Sequence, residues 1–221
     1  MIPGWLTALA WAYLAVCFCC AAIVTYDIAI GKRRQPMAVM NFVFPITALY
    51  FGPLALWFYW RWGRAGQMRP ARPRWATMGT EVSHCGAGCA LGDVISEFLI
   101  FALALTIAGR TLWAEYTGDY VLALTFGILF QYFAIAPMRG LGLADGLAAA
   151  AKADVISLTA FEVGLFGWMA VMTFVLFPAP HLLMPNSAAF WLLMQVGMMI
   201  GFCTSWPANV WLVRRGIKVP M

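Results

Sequence analysis

Long apolar runs separated by short polar segments dominate the chain. A bilayer core of about 30 Å is crossed by about 20 apolar residues of helix. Each run that meets or approaches this length is predicted to form a transmembrane helix. The predicted spans cover residues 5–30, 39–60, 84–108, 120–137, 145–177 and 188–213. The pattern therefore predicts an all-α, polytopic transmembrane helical bundle of about six spans, which forms a single integral membrane domain over residues 1–221.

The second run is less regular than the others. It contains Pro45 and the pair Gly52–Pro53, and a proline inside a helix removes a backbone hydrogen bond and bends or breaks the helix. Two interpretations follow from this. The run is either a kinked span or a re-entrant segment, and a re-entrant segment would change the topology of everything after it.

Composition excludes a soluble protein. Hydrophobic residues make up 63% of the chain and charged residues 10%, whereas about 25% of residues are charged in a soluble domain. The net charge of +5 comes from basic residues that flank the apolar runs, so the lipid bilayer with its anionic headgroups is the expected partner and nucleic acid is not.

The distribution of Lys and Arg predicts an orientation, because cytoplasmic loops of membrane proteins are enriched in both. With six spans and both termini cytoplasmic, ten of the fourteen basic residues lie inside and four lie outside. The cluster Lys32–Arg34 then lies on the outer side, against the rule. On this count we expect a multi-pass membrane protein with both termini cytoplasmic.

Ionisable residues inside the apolar runs indicate where function lies. A charge at the bilayer centre costs roughly 2.5–3.5 kcal/mol on insertion scales, so such groups normally face a bundle interior and have a role there. Residues four apart share one helix face, and the third and fifth runs each carry carboxylates at multiples of this spacing. The predicted proton or ion pathway consists of Asp93, Glu97, Asp154 and Glu162.

The third run also carries His84, Cys85 and Cys89. Thiolate and thioether ligands favour Cu(I) or zinc, and imidazole suits zinc and copper. These three residues are therefore a candidate metal site, which Met199 and Cys203 of the sixth run could complete. In the alternative interpretation the cysteines are small packing residues, because the adjacent GxxxG spacing allows two membrane helices to approach closely.

Two segments carry a resemblance to a known family. The segment 84–97, His-Cys-Gly-Ala-Gly-Cys-Ala-Leu-Gly-Asp-Val-Ile-Ser-Glu, and the C-terminal segment 204–221 resemble the bacterial domain-of-unknown-function family 4396. The resemblance extends from about the second span to the C-terminus. It implies a multi-span protein of the bacterial inner (cytoplasmic) membrane, and it favours copper slightly because some relatives are associated with copper-binding cupredoxin-type modules. This chain carries no such module.

We therefore expect a membrane protein that binds or transports a soft metal ion, copper or else zinc. Two alternatives remain: a proton-coupled transporter of a small solute, and a non-catalytic membrane subunit with a membrane or periplasmic protein partner. An enzyme is less expected, because the sequence contains no Walker A, HExxH or GxSxG motif.

Overall fold

The computed structural model describes residues 2–66 and 72–218, and the regular elements in these ranges are helical. The helices are α1 (Gly4–Ala29), α2 (Met40–Phe51), α3 (Pro53–Phe58), α4 (Arg74–Leu103), α5 (Thr111–Arg139), α6 (Leu143–Val171) and α7 (Ala188–Arg214). Two π-helical turns, Tyr59–Gly63 and Met172–Leu176, extend α3 and α6.

Within the described ranges, five helices are long and apolar enough to cross a membrane: α1, α4, α5, α7, and α6 together with its π-helical turn. The predicted all-helical membrane bundle is confirmed. Two helices begin well before the predicted spans, α4 at Arg74 and α5 at Thr111. The added turns carry four charged residues, of which Glu81 and Asp119 are buried between helices, Glu115 is partly buried and Arg74 is exposed.

The second predicted span is a helical hairpin. Gly52 separates α2 from α3 with φ of +53°, a left-handed conformation that glycine adopts without strain, and Pro53 then starts α3 at the position where a helix tolerates proline. The Phe44 and Tyr59 rings lie 5.3 Å apart in an edge-to-face arrangement. The two halves of the segment therefore lie side by side.

Asp27, near the end of α1, holds the returning half of the hairpin. Its carboxylate accepts hydrogen bonds from the Tyr59 hydroxyl at 2.8 Å and from the Arg64 guanidinium at 2.9 and 2.6 Å. Because α2 also starts just after α1, the hairpin begins and ends at the same end of the bundle. Of the two interpretations of the second run, the structure has the re-entrant one.

This path places the first and last described residues at opposite ends of the bundle. The basic end, as we call it, contains residues 30–39, 64–66, 140–142 and 215–218, and the opposite end contains residues 104–110 and 177–187. Ile2 lies at the opposite end and Lys218 lies at the basic end. A common side for both termini required the second run to cross the membrane, which the hairpin does not do.

Helix α4 is the centre of the bundle and packs against α2, α5, α6 and α7. Its approach to α5 is close because Gly88 and Gly92 face the α5 backbone. A Cβ atom added to Gly92 would lie 2.5 Å from the backbone nitrogen of Ala123, and one added to Gly88 would lie 2.7 Å from the Cα atom of Gly127. The GxxxG spacing thus acts in helix packing.

Candidate functional site

The polar side chains of α4 between positions 81 and 97, which we call its polar stripe, face inward. Glu81, His84, Asp93 and Glu97 are each at most 1% exposed, because helices surround α4 on several sides. Polar residues on a helix that faced lipid would instead be exposed. The stripe therefore belongs to the interior of the bundle, as predicted for intramembrane ionisable residues.

Four buried acidic side chains from three helices form what we call the carboxyl cluster: Asp93 and Glu97 from α4, Asp119 from α5 and Glu162 from α6. Asp93 interacts electrostatically with the other three. Glu97 and Asp119 are close enough for a hydrogen bond between their carboxyl groups once one of them carries a proton.

No cation neutralises this cluster among the described residues, since none of its four members takes part in an ion pair. None of its eight carboxylate oxygens accepts a well-formed hydrogen bond from the described part of the chain. The nearest polar neighbours are Ser96 beside Asp119 and the Cys89 thiol beside Glu162. Burying an ionised carboxylate without a partner costs a large amount of free energy. Such a cluster therefore holds protons or a cation.

A cavity of about 490 Å³ leads towards the cluster from the opposite end of the bundle. Arg110 and Glu115 contribute charge to its wall, and Glu115 interacts in turn with Glu97. Four methionines also line it: Met169, Met172, Met184 and Met194. The cavity thus lies at one end of the bundle, and Glu115 links its wall to the carboxyl cluster.

Towards the bundle centre the cluster continues into the two thiols of α4. Cys85 and Cys89 are fully buried, and Cys89 is near both Cys85 and Glu162. The Tyr50 hydroxyl of the hairpin closes this region from another side, since it would lie 2.9 Å from a Cβ atom on Gly86.

A second polar group lies towards the basic end and centres on Lys218. Its ammonium donates to Asp154 Oδ1 at 2.9 Å and to Asn209 Oδ1 at 3.0 Å, and it lies 3.7 Å from Glu81 Oε2. We call Lys218, Glu81, Asp154 and Asn209 the lysine cluster. Burial by itself would lower the pKa of Lys218, but the charges of Asp154 and Glu81 outweigh that effect and raise it.

Further hydrogen bonds fix the orientation of this cluster. The Ser157 hydroxyl donates to Asp154 Oδ1 at 2.7 Å, and the Asn209 amide donates to the Ser205 hydroxyl at 2.9 Å. Ser205 in turn donates to the backbone carbonyl of Ser157 at 2.9 Å, which links α7 to α6. The amide oxygen of Asn209 is consequently turned towards Lys218.

The predicted metal ligands do not form one group. Cys85 and Cys89 lie together, whereas His84 interacts electrostatically with Asp154 and Lys218 and its ring lies 6.3 Å from that of Phe130. Cys203 is exposed on α7, and Met199 is partly buried against the core. Within residues 2–66 and 72–218, no three His, Cys, Asp or Glu side chains are arranged to hold a metal ion.

The predicted pathway residues divide between the two clusters. Asp93, Glu97 and Glu162 lie in the carboxyl cluster, and Asp154 lies in the lysine cluster. Sequence reasoning missed Glu115, Asp119 and Lys218. The spacing of four between Glu115 and Asp119 was a usable signal, but both residues precede the predicted start of that span.

The family model described as "Domain of unknown function (DUF4396)" matches residues 74–218. The chain belongs to this family. The match begins where α4 begins and ends at Lys218, so it contains both clusters and excludes α1 and the hairpin. The resemblance seen in the sequence is confirmed, although the second span lies outside the match. Neither a curated protein nor a solved structure matches the chain.

Proposed function

We propose that this protein is a proton-coupled membrane transporter in which the carboxyl cluster carries the protons. The observation that carries the proposal is the burial of Asp93, Glu97, Asp119 and Glu162 together, without a neutralising cation among the described residues. Carboxyl groups in this setting take up and release protons within the bundle. Intramembrane Asp and Glu residues form proton relays in pumps and transporters for this reason.

The order of the groups along the helices supports a continuous route. From the opposite end it leads through the cavity and Glu115 to Glu97 and Asp119, then to Asp93 and Glu162. Beyond the thiols lie Asp154 and Glu81, close to the basic end. The transported solute would enter through the same cavity.

The distribution of basic residues supports an orientation for this route. Of the thirteen Lys and Arg residues in the described ranges, Arg110 lies at the opposite end. The other twelve lie at the basic end or in that half of the bundle: Lys32, Arg33, Arg34, Arg61, Arg64, Arg72, Arg74, Arg139, Lys152, Arg214, Arg215 and Lys218. Under the positive-inside rule the basic end is cytoplasmic, so the C-terminus is inside and the N-terminus is outside the bacterial cytoplasmic membrane.

The test measures proton flux into proteoliposomes that contain a pH-sensitive dye. An imposed membrane potential drives the flux. We expect Asp93→Asn and Glu162→Gln to reduce the flux to that of protein-free liposomes. Asp145→Asn is the matched control, because Asp145 is an exposed acid in the first turn of α6. Flux that is equal in wild-type protein and both cluster variants would refute the proposal.

A soft metal ion, copper in particular, is the second candidate for what is moved. It is favoured by the proximity of the Cys89 thiol to both Cys85 and Glu162, and by the four methionines of the cavity wall. Thiols and thioethers are the ligands that Cu(I) selects. Metal would then be cargo that passes from the methionines to the thiols.

Elemental analysis of purified protein distinguishes the two candidates. Near-stoichiometric copper or zinc in wild-type protein that is lost in the Cys85→Ser, Cys89→Ser double variant would establish metal as the cargo. Absence of metal after loading under reducing conditions, with proton flux intact in the double variant, would leave proton coupling as the function.

A further inference from the structure

The segment after α7 turns back into the bundle. Gly216 has φ of +69°, and the backbone N–H groups of Gly216 and Ile217 donate to the carbonyls of Val213 and Leu212. Such a glycine-containing cap ends a helix and reverses the chain. It directs Lys218 inward, and the Lys218 side chain is completely buried although it lies four residues beyond the end of α7.

Three helices supply the oxygen atoms that surround this ammonium group. Glu81 comes from α4, Asp154 from α6 and Asn209 from α7. On the route described above, the two carboxylates lie between the thiols and the cytoplasmic end. The lysine therefore occupies the place that a proton or another cation would have to pass.

From this geometry we propose that Lys218 is a tethered cation that closes the cytoplasmic end of the pathway and is released when Asp154 and Glu81 accept protons. The inference rests on the proposed transport function and adds an inner gate to it. The titratable groups that act on Lys218 are Glu81 and Cys85 of α4 and Asp154 of α6, and His84 of α4 acts on Asp154 and Lys218 together.

The release follows from the energetics of burial. Lys218 itself remains charged at neutral pH, because its carboxylate neighbours raise its pKa. When both carboxylates are protonated they lose their negative charge, so the ammonium keeps only neutral oxygen acceptors such as the amide oxygen of Asn209. A buried ammonium with so little compensation is unstable, so the side chain leaves with its short segment and the exit opens.

The first experiment compares proton flux in wild-type protein, Lys218→Gln and Arg215→Gln. Arg215 is a matched control because it is an exposed cation in the same turn, with its guanidinium 5.8 Å from the Trp211 ring centre. We expect the Lys218 variant to conduct about tenfold faster, which corresponds to about 1.4 kcal/mol of lost barrier, and the Arg215 variant to match wild type.

The second experiment does not depend on removing the lysine. An Ile217→Cys reporter is placed in a background in which the exposed Cys19 and Cys203 are serine. Because Ile217 is half-buried, its labelling by a membrane-impermeant maleimide from the cytoplasmic side should be slow at rest. We expect labelling to accelerate while protons are driven through the protein.

The outcomes separate the gate from the function. Wild-type flux that equals that of a folded Lys218→Gln protein would overturn the gate and leave the transport proposal intact. If that variant does not fold, a labelling rate unaffected by proton flow overturns the gate on its own. Absence of flux from wild-type and Lys218→Gln proteins alike would overturn the proposed function, and the gate with it.

Discussion

The contact between α4 and α5 can be tested by a single methyl group. Gly92→Ala adds a Cβ atom that would lie 2.5 Å from the backbone nitrogen of Ala123 and 2.8 Å from its Cα atom. These are backbone atoms, so a rotamer change cannot relieve the overlap. Ordinary van der Waals contact begins near 3.4 Å, so the two helices must separate locally by about 0.9 Å.

The cost of this separation is that of overpacking a well-packed interior, about 1–3 kcal/mol. Alanine also has a higher helix propensity than glycine, by about 1 kcal/mol, which would mask part of the effect. Gly167→Ala in α6 is the matched control, because nothing lies within 4 Å of a Cβ atom added there. The difference between the two variants removes the propensity term and leaves the packing term.

Reversible unfolding in mixed micelles, followed by tryptophan fluorescence, measures this difference. We expect Gly92→Ala to be less stable than Gly167→Ala by about 1–3 kcal/mol. We also expect lower proton flux, since the separation moves Asp119 away from Glu97. Equal stability of the two variants would show that α4 and α5 are not in backbone contact, and that Asp119 is not held beside Glu97 by this contact.

Three further predictions concern ion pairs and topology. Lys218→Met should destabilise the protein by about 3–5 kcal/mol because it leaves buried carboxylates without their cation, and adding Asp154→Leu should restore much of that loss in the same unfolding assay. Arg64→Gln should cost about 1 kcal/mol, because its ion pair with Asp27 is partly exposed, and should speed proteolysis of the hairpin, whereas replacement of the exposed Arg139 should do neither. Reporter proteins fused to the two termini should report opposite sides of the membrane, and reporters on one common side would contradict the five-crossing path.

Hydropathy predicted the membrane class and the bounds of three of the five long helices, α1, α6 and α7, because those helices have enough apolar surface to be recognised alone. It failed where residues are polar and buried together. Glu115 and Asp119 shortened the predicted fourth span, although Asp119 is fully buried in the carboxyl cluster. A scale that scores residues singly cannot represent a polar group whose neighbours come from two other helices.

The hairpin and Lys218 were hard to predict for another reason. Gly52–Pro53 signals a break, but whether a broken helix continues or reverses depends on contacts such as that of Asp27 with Arg64, 37 residues apart. Lys218 looks like one more basic residue of a flanking tail. Its burial depends on Asp154, 64 residues away, and no local pattern contains that information.

Packing and chemistry on α4 depend on one another. Glycines at 88 and 92 bring the α5 backbone into contact with α4, and that proximity is what allows Asp119 to reach Glu97 and Asp93. Larger residues at the glycine positions would keep the helices apart, so Asp119 would no longer lie near Glu97 and Asp93. The matched segment 74–218 contains this helix pair together with α6, α7 and Lys218. We therefore expect the proton-carrying unit to be α4–α7, with α1 and the hairpin covering one side of it.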